Sequence, residues 1–167
     1  SYQFDFFILT RDRDLGDTQP YPNIQRNSWQ QLENAQVWYA SPDQLRPLAL
    51  RKILNSIEYD LLYINSFFSS LSVKIMWMMH LGLITKHSVV LAPRGEFYDG
   101  ALGLKNWKKV PYLYLVRLLG IYDKIQWQAS TLDETATIEK LFTDAQVETA
   151  IELPLLPLPP APSLEVH

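Results

Sequence analysis

The stretch Asp60-Leu-Leu-Tyr-Ile-Asn-Ser66 constrains the fold most: a short apolar and aromatic run, entered from a carboxylate and left through two polar side chains. A continuous apolar run, unlike an alternating one, is what a strand covered on both faces shows. Runs of the same kind recur at residues 4–10, 36–40, 87–92 with its Val89-Val90 pair, 124–129 and 146–152. Longer segments with helical spacing lie between them. Leu45, Leu48, Ala49, Ile53, Leu54 and Ile57 make one apolar face, with Ser41 or Asp43 placed to cap it. Residues 69–81 are apolar nearly all round, which predicts a deeply buried helix capped by Ser69 or Ser70 and ended by Gly82. Residues 110–119 form a further helix with Gly120 at its end. Pro111 suits its first turn, and a start before Val110 would put a kink there. Thr131 followed by Glu134 has the capping-box spacing, opening a helix through Phe142.

Strand then helix, repeated, predicts an α/β fold: a Rossmann-like parallel sheet with helices on both faces. Ligands of such sheets bind at the carboxyl ends of the strands. Those ends are the loops 11–17, 65–70, 93–106 and 129–132. A chain of 167 residues, 47% hydrophobic, has material for one sizeable core. The Rossmann-like domain is expected over 1–152. Residues 153–167 follow as a linker or tail, with five prolines between Leu153 and Pro162 that favour an extended chain.

The net charge of -3 is unevenly spread: eleven Lys or Arg face five Asp or Glu between Arg46 and Lys124, against one and seven from Ile125 onward. A basic segment of this kind is a solvated surface or a patch for phosphate, anionic lipid or an acidic sugar chain. The overall sign disfavours nucleic acid as a partner. There is no cysteine, which excludes a disulfide framework and is compatible with a cytoplasmic location. No signal segment opens the chain and no apolar run reaches about 18 residues. The N-terminal serine, in place of methionine, suggests a processed or truncated chain.

Phosphate-loop signatures are missing: no G-x-G-x-x-G follows a strand, and Gly95, Gly100 and Gly103 precede no Lys-Ser/Thr pair. The histidines His80, His87 and His167 lack metal-ligand spacing, so no metal is expected. Asp12-Arg13-Asp14 sits after the first strand, either as a charged turn with local ion pairs or as a rim that hydrogen-bonds sugar hydroxyls. Its D-x-D spacing has only eleven residues before it, too few for an upstream nucleotide-binding region. Asn65 and Ser66, with Phe67 and Phe68 behind them, place polar groups and aromatic faces at a strand end. Pro93-Arg94-Gly95-Glu96-Phe97 is the most informative stretch: Gly95 permits a tight turn, while Arg94 and Glu96 offer a fork of donors and an acceptor, or a structural pair with each other. Lys105, Lys108 and Lys109 gather near a helix N-terminus, where cations oppose the helix dipole. A phosphate or an anionic lipid head group would reverse that cost.

On Leu91-Ala-Pro-Arg-Gly-Glu-Phe97 with Gly100-Ala-Leu102 and Lys105, on residues 60–66, and on Trp127-Gln-Ala-Ser-Thr131 with Glu134, the chain resembles the N-terminal half of GT-B glycosyltransferases of the group-1 (family 4) superfamily. The resemblance implies a retaining glycosyltransferase that moves a hexose from a nucleotide sugar to a glycan or lipid-linked acceptor, as in polysaccharide biosynthesis. This chain would supply acceptor recognition through Arg94, Gly95, Glu96, Asn65 and Ser66, with Asp12 and Arg13 at the rim and Lys105, Lys108 and Lys109 as an anion or membrane contact. It implies no cofactor beyond the nucleotide-sugar donor as substrate, and no metal. Many relatives carry histidine at the position of Arg94, so no catalytic role passes to that side chain. The family's first strand with its glycine loop, and its C-terminal donor domain, have no counterpart here. By itself the chain is therefore expected to be inactive, cytoplasmic, and peripheral at the inner membrane face. The alternatives are the non-catalytic docking half of a split transferase and a receiver-type small-molecule domain, the latter without its acidic cluster.

Overall fold

The computed structural model describes residues 4–85, 88–97 and 106–149, the side chains of 106–108 excepted. The chain divides into two compact units, Ser1–Tyr59 with Trp77–Lys86, and Asp60–Met76 with His87–His167.

In the first unit, β1 (Phe6–Arg11) runs parallel to β3 (Ala35–Ala40), with Phe6 opposite Ala35 and Arg11 opposite Ala40. A strand that the sequence pattern did not predict, β2 (Trp29–Leu32), pairs antiparallel on the other side of β3, giving the order β1-β3-β2. Glu33, at φ 49°, turns the chain between β2 and β3. Trp29 lies opposite Trp38, their rings edge to face at 5.5 Å, and Phe7 makes a second edge contact with Trp29 at 5.5 Å. Helix α1 (Pro47–Leu54) buries Leu50, Ile53 and Leu54. The expected caps are corrected: Arg46 precedes the helix and makes no side-chain capping bond, its guanidinium pairing with Asp43 at 3.1 Å, while the carbonyls of Ser41 and Asp43 accept from Gln44 and Arg46 in the turns before it. Pro47 opens the helix instead, because its fixed φ suits the first turn and its missing N–H would have had no intrahelical partner. Leu48, in the first turn of the helix, is exposed rather than part of the expected apolar face.

The second unit holds the predicted parallel sheet. Its strands β4 (Leu61–Asn65), β5 (Ser88–Ala92), β6 (Gln126–Ala129) and β7 (Gln146–Thr149) are all parallel in sequence order. Helices α2 (Ser70–His80, whose residues up to Met76 belong to this unit), α3 (Asn106–Leu118) and α4 (Leu132–Leu141) flank them, as in a Rossmann-like α/β fold. Ser69 caps α2, its Oγ accepting from the Ser72 N–H at 3.0 Å. Gly82 ends that helix at φ 69°, with the Leu83 N–H returning to the Met78 carbonyl at 2.8 Å. Helix α3 begins at Asn106, earlier than the sequence pattern placed it, so Pro111 lies inside the helix. Phe67, Phe97 and Trp127 are wholly buried, Phe67 edge-on to Phe97 at 5.0 Å, Phe97 tilted to Trp127 at 6.1 Å, and Phe67 stacked on Trp127 at 6.0 Å. Tyr122 and Phe142 complete the cluster. The Tyr112 and Tyr122 hydroxyls bond to each other at 2.8 Å, and burial pushes both phenols up from their ordinary pKa. The predicted end of the last strand, residues 150–152, and the proline-rich stretch 153–167 lie outside the described residues.

Candidate functional site

Strand β4 and strand β5 end level with each other, Asn65 opposite Ala92, and the Ser66 N–H adds one more bond to the Ala92 carbonyl at 2.8 Å. Beyond that point both chains turn sharply. Ser66 adopts φ 80°, and Arg94 and Gly95 adopt 55° and 81° in a turn closed by the Glu96 N–H on the Pro93 carbonyl. Positive φ at both central residues is the requirement of a type I′ turn, which glycine meets freely and arginine at a cost of order 1 kcal/mol. Side chains hold these conformations in place.

Two carboxylates do most of the holding. Glu96 Oε1 accepts from the Ser66 hydroxyl at 2.7 Å, while Oε2 accepts from the main-chain N–H groups of Phe67 and Phe68, the latter at 3.1 Å. Glu96 thus ties the β5 turn to the turn before α2. Glu134 is 1% exposed and ties the same turn on its other side, accepting from the Gly95 N–H at 2.6 Å and the Ser130 N–H at 2.8 Å. The capping-box expectation is half met. Thr131 Oγ1 accepts from the Glu134 N–H at 3.2 Å, but the Glu134 carboxylate reaches Ser130 and Gly95 rather than the cap residue's own N–H. Three strand-end turns, after β4, β5 and β6, are joined by these two side chains.

Arg94 stands on that frame. Its Nε donates to Asn65 Oδ1 at 3.3 Å and its Nη2 to the Tyr63 hydroxyl at 3.1 Å, and Tyr63 donates in turn to Gln128 Oε1. Arg94 and Asn65 are exposed. No ion pair joins Arg94 to Glu96, and among the described residues no carboxylate lies within ion-pair distance of Arg94. The guanidinium is therefore oriented by neutral partners and keeps its charge and further N–H donors for solvent or a ligand.

The structure brings together Arg94, Gly95, Glu96, Asn65 and Ser66 of the residues singled out from sequence. Arg94 and Asn65 present functional groups; Ser66, Gly95 and Glu96 shape the turns. Asp12 and Arg13 belong to the first unit and bind each other. Asp12 is 1% exposed, with Oδ1 bonded to Arg13 Nε at 2.7 Å and Oδ2 to Arg13 Nη2 at 3.1 Å and Arg26 Nη1 at 3.4 Å. The forked hydrogen bond from Arg13 holds the Asp12 carboxyl below its ordinary pKa. That arrangement is the local ion-pair reading of the D-x-D turn. Lys109 lies over the Phe68 ring, Nζ 4.7 Å from its centroid. Lys105 lies outside the described residues, and of Lys108 only the backbone is described. Among the described residues no group of His, Asp or Glu has the arrangement of a metal site. Tyr63 and Gln128 went unpredicted, yet the alternation of β4 puts Tyr63 on the same side as Asn65, a signal present in the sequence.

These features define a parallel α/β sheet with a rigid polar site at the carboxyl ends of its strands. No protein-family model, no curated protein and no solved structure matches the chain.

Proposed function

We propose that this chain is the acceptor-side part of a retaining glycosyltransferase, with Arg94 and Asn65 hydrogen-bonding the glycan or lipid-linked acceptor of a hexose carried by a nucleotide sugar. The observation that carries the reading is the commitment of Glu96 and Glu134 to main-chain N–H groups, which leaves the Arg94 guanidinium rigid and uncompensated at the ligand-binding edge of the sheet. A purely structural arginine would gain by pairing with the carboxylate two residues away. The resemblance of the Leu91–Phe97 stretch to group-1 transferases supports the same assignment. Sugar hydroxyls suit this edge because Arg94 donates, Asn65 both donates and accepts, and all of the groups are already held in place. Stabilisation of the donor phosphates is assigned to a separate donor-binding segment of the parent enzyme.

The test is transfer by the full-length parent enzyme with Arg94→Gln. Loss of charge-assisted hydrogen bonds predicts an acceptor KM raised about tenfold or more, with hydrolysis of the nucleotide sugar unchanged. An unchanged acceptor KM, or an effect on donor hydrolysis alone, would sink the assignment.

A further inference from the structure

The register of β4 to β7 sorts their side chains onto two unlike faces. One carries Ile64, Val89, Leu91, Trp127 and Ala129, all buried. On the other, Tyr63, Val90, Gln126 and Gln146 lie side by side across the four strands, and Gln128 lies beside Glu148 two residues further on. Asn65, Gln126, Gln146 and Glu148 are exposed, and Tyr63 keeps 40% of its surface in solvent. Tyr63 does not stand off this face. Its hydroxyl bonds to Gln128 two strands away, so the side chain crosses β5, where Val90 is its neighbour. Two strand spacings are about 9.6 Å, a span that a tyrosine and a glutamine bridge when both lie along the sheet. Arg94 Nη2 holds the same hydroxyl at 3.1 Å. An aromatic ring is thereby laid flat and fixed, with one side toward solvent.

We infer that this open sheet face is an extension of the acceptor site and takes a chain of uncharged pyranoses, one ring stacking on Tyr63 and the next units hydrogen-bonding Gln126 and Gln146. The inference rests on the acceptor-side reading and adds the substrate class to it: an oligosaccharide rather than a single sugar. The chemistry of the face selects this occupant. Amides donate and accept at once, as the hydroxyls of a sugar do, and a fixed aromatic ring offers an apolar plane to the C–H side of a pyranose. The cores of protein interfaces are apolar, whereas the large apolar side chains exposed on these strands are Leu61 and Tyr63 alone. A phosphate polymer calls for a row of cations, and here Arg94 is accompanied by Glu148 of opposite sign. Length fits as well. From β4 to β7 is three strand spacings, about 14 Å, more than one hexose ring spans. The face is also continuous with the site already described, since Arg94 holds both Tyr63 and Asn65.

The test is nuclear magnetic resonance of the chain titrated with neutral tetrasaccharides of glucose, galactose and mannose, with the methyl glycosides of the same sugars, and with tetragalacturonate as the acidic counterpart. A neutral tetrasaccharide should shift the side-chain NH2 resonances of Gln126 and Gln146 and bind about tenfold or more tighter than its methyl glycoside. Nuclear Overhauser contacts should join the Tyr63 ring protons to sugar C–H protons. Gln126→Ala combined with Gln146→Ala should remove the advantage of the longer ligand. Both glutamines are exposed, so circular dichroism should show the double variant folded. The inference is overturned if no neutral tetrasaccharide moves these resonances, if the Tyr63 contacts are absent, if tetragalacturonate binds tighter, or if the double variant keeps the full advantage. These readouts separate the two proposals. An acceptor KM raised by Arg94→Gln, with the glutamine resonances unmoved, sinks this inference alone. Shifted glutamines with an unchanged acceptor KM leave the face a glycan-binding surface and sink the acceptor-side reading alone.

Discussion

Glu134 has both carboxylate oxygens on main-chain N–H groups, and a glutamine at that position would keep only one acceptor and point an NH2 at the other donor. Glu134→Gln is therefore expected to cost about 1–3 kcal/mol of stability, and to speed hydrogen exchange most at the amides of Gly95 and Ser130. Thermal unfolding and residue-resolved exchange check both parts. Asp12 makes a prediction with a sign. Its folded pKa lies below its unfolded value, so its contribution is fully present above about pH 4 and is lost as pH falls through the folded value. Asp12→Asn should lower the urea midpoint at pH 7, and its difference from the wild type should shrink as pH falls below about 4. At this scale the sequence was informative about which residues gather at the strand ends and uninformative about what their atoms bond. The Thr131-to-Glu134 spacing is the same whether the glutamate returns to the cap or reaches another loop, and only the folded positions of Gly95 and Ser130 decide it.

Helix α3 contains its own punctuation error and its own correct stop. Pro111 lies inside it, exposed, with no N–H to offer the carbonyl one turn back. Replacing it with alanine restores a donor and a good helix former, and the gain exceeds the freedom returned to the unfolded chain. Pro111→Ala should stabilise the protein by about 2 kcal/mol, read as a higher Tm. Gly120 behaves oppositely: it holds φ 61°, and an added Cβ would meet Asp123 Oδ2 at 2.5 Å. Gly120→Ala should destabilise by about 1 kcal/mol or more, which the same melting experiment checks. The early start of α3 was hidden because residues 106–109 are polar, aromatic and cationic and continue no apolar period, while Pro111 gave a plausible start signal. Strand β2 was hidden for a related reason. Trp29-Gln-Gln-Leu32 has no apolar run, and its hairpin turns at Glu33 rather than at a glycine. By contrast β4 and β5 were legible from their apolar runs, although the inference that both faces are covered does not hold for β4, where Ile64 is buried while Leu61 and Tyr63 are exposed.

For the molecule as a whole, the α/β class and the parallel pairing followed from the order of the apolar runs. What remained hidden was that β1 and β3 join a sheet of their own with β2, since composition is silent on which strands pair. The aromatic core of the second unit has a further physical consequence. Tyr112 and Tyr122 are two of the nine tyrosines, and burial raises both of their pKa values in the folded state. Their contribution to stability is complete below the unfolded value of about 10 and diminishes as the solution becomes more alkaline than that, because the opened chain releases their protons more readily than the folded one. Phenolate absorbs in the near ultraviolet where phenol does not. In a jump to alkaline buffer, exposed tyrosines should colour at once, and buried Tyr122 should follow at the rate at which the core opens, giving the protein a built-in optical clock for its own unfolding.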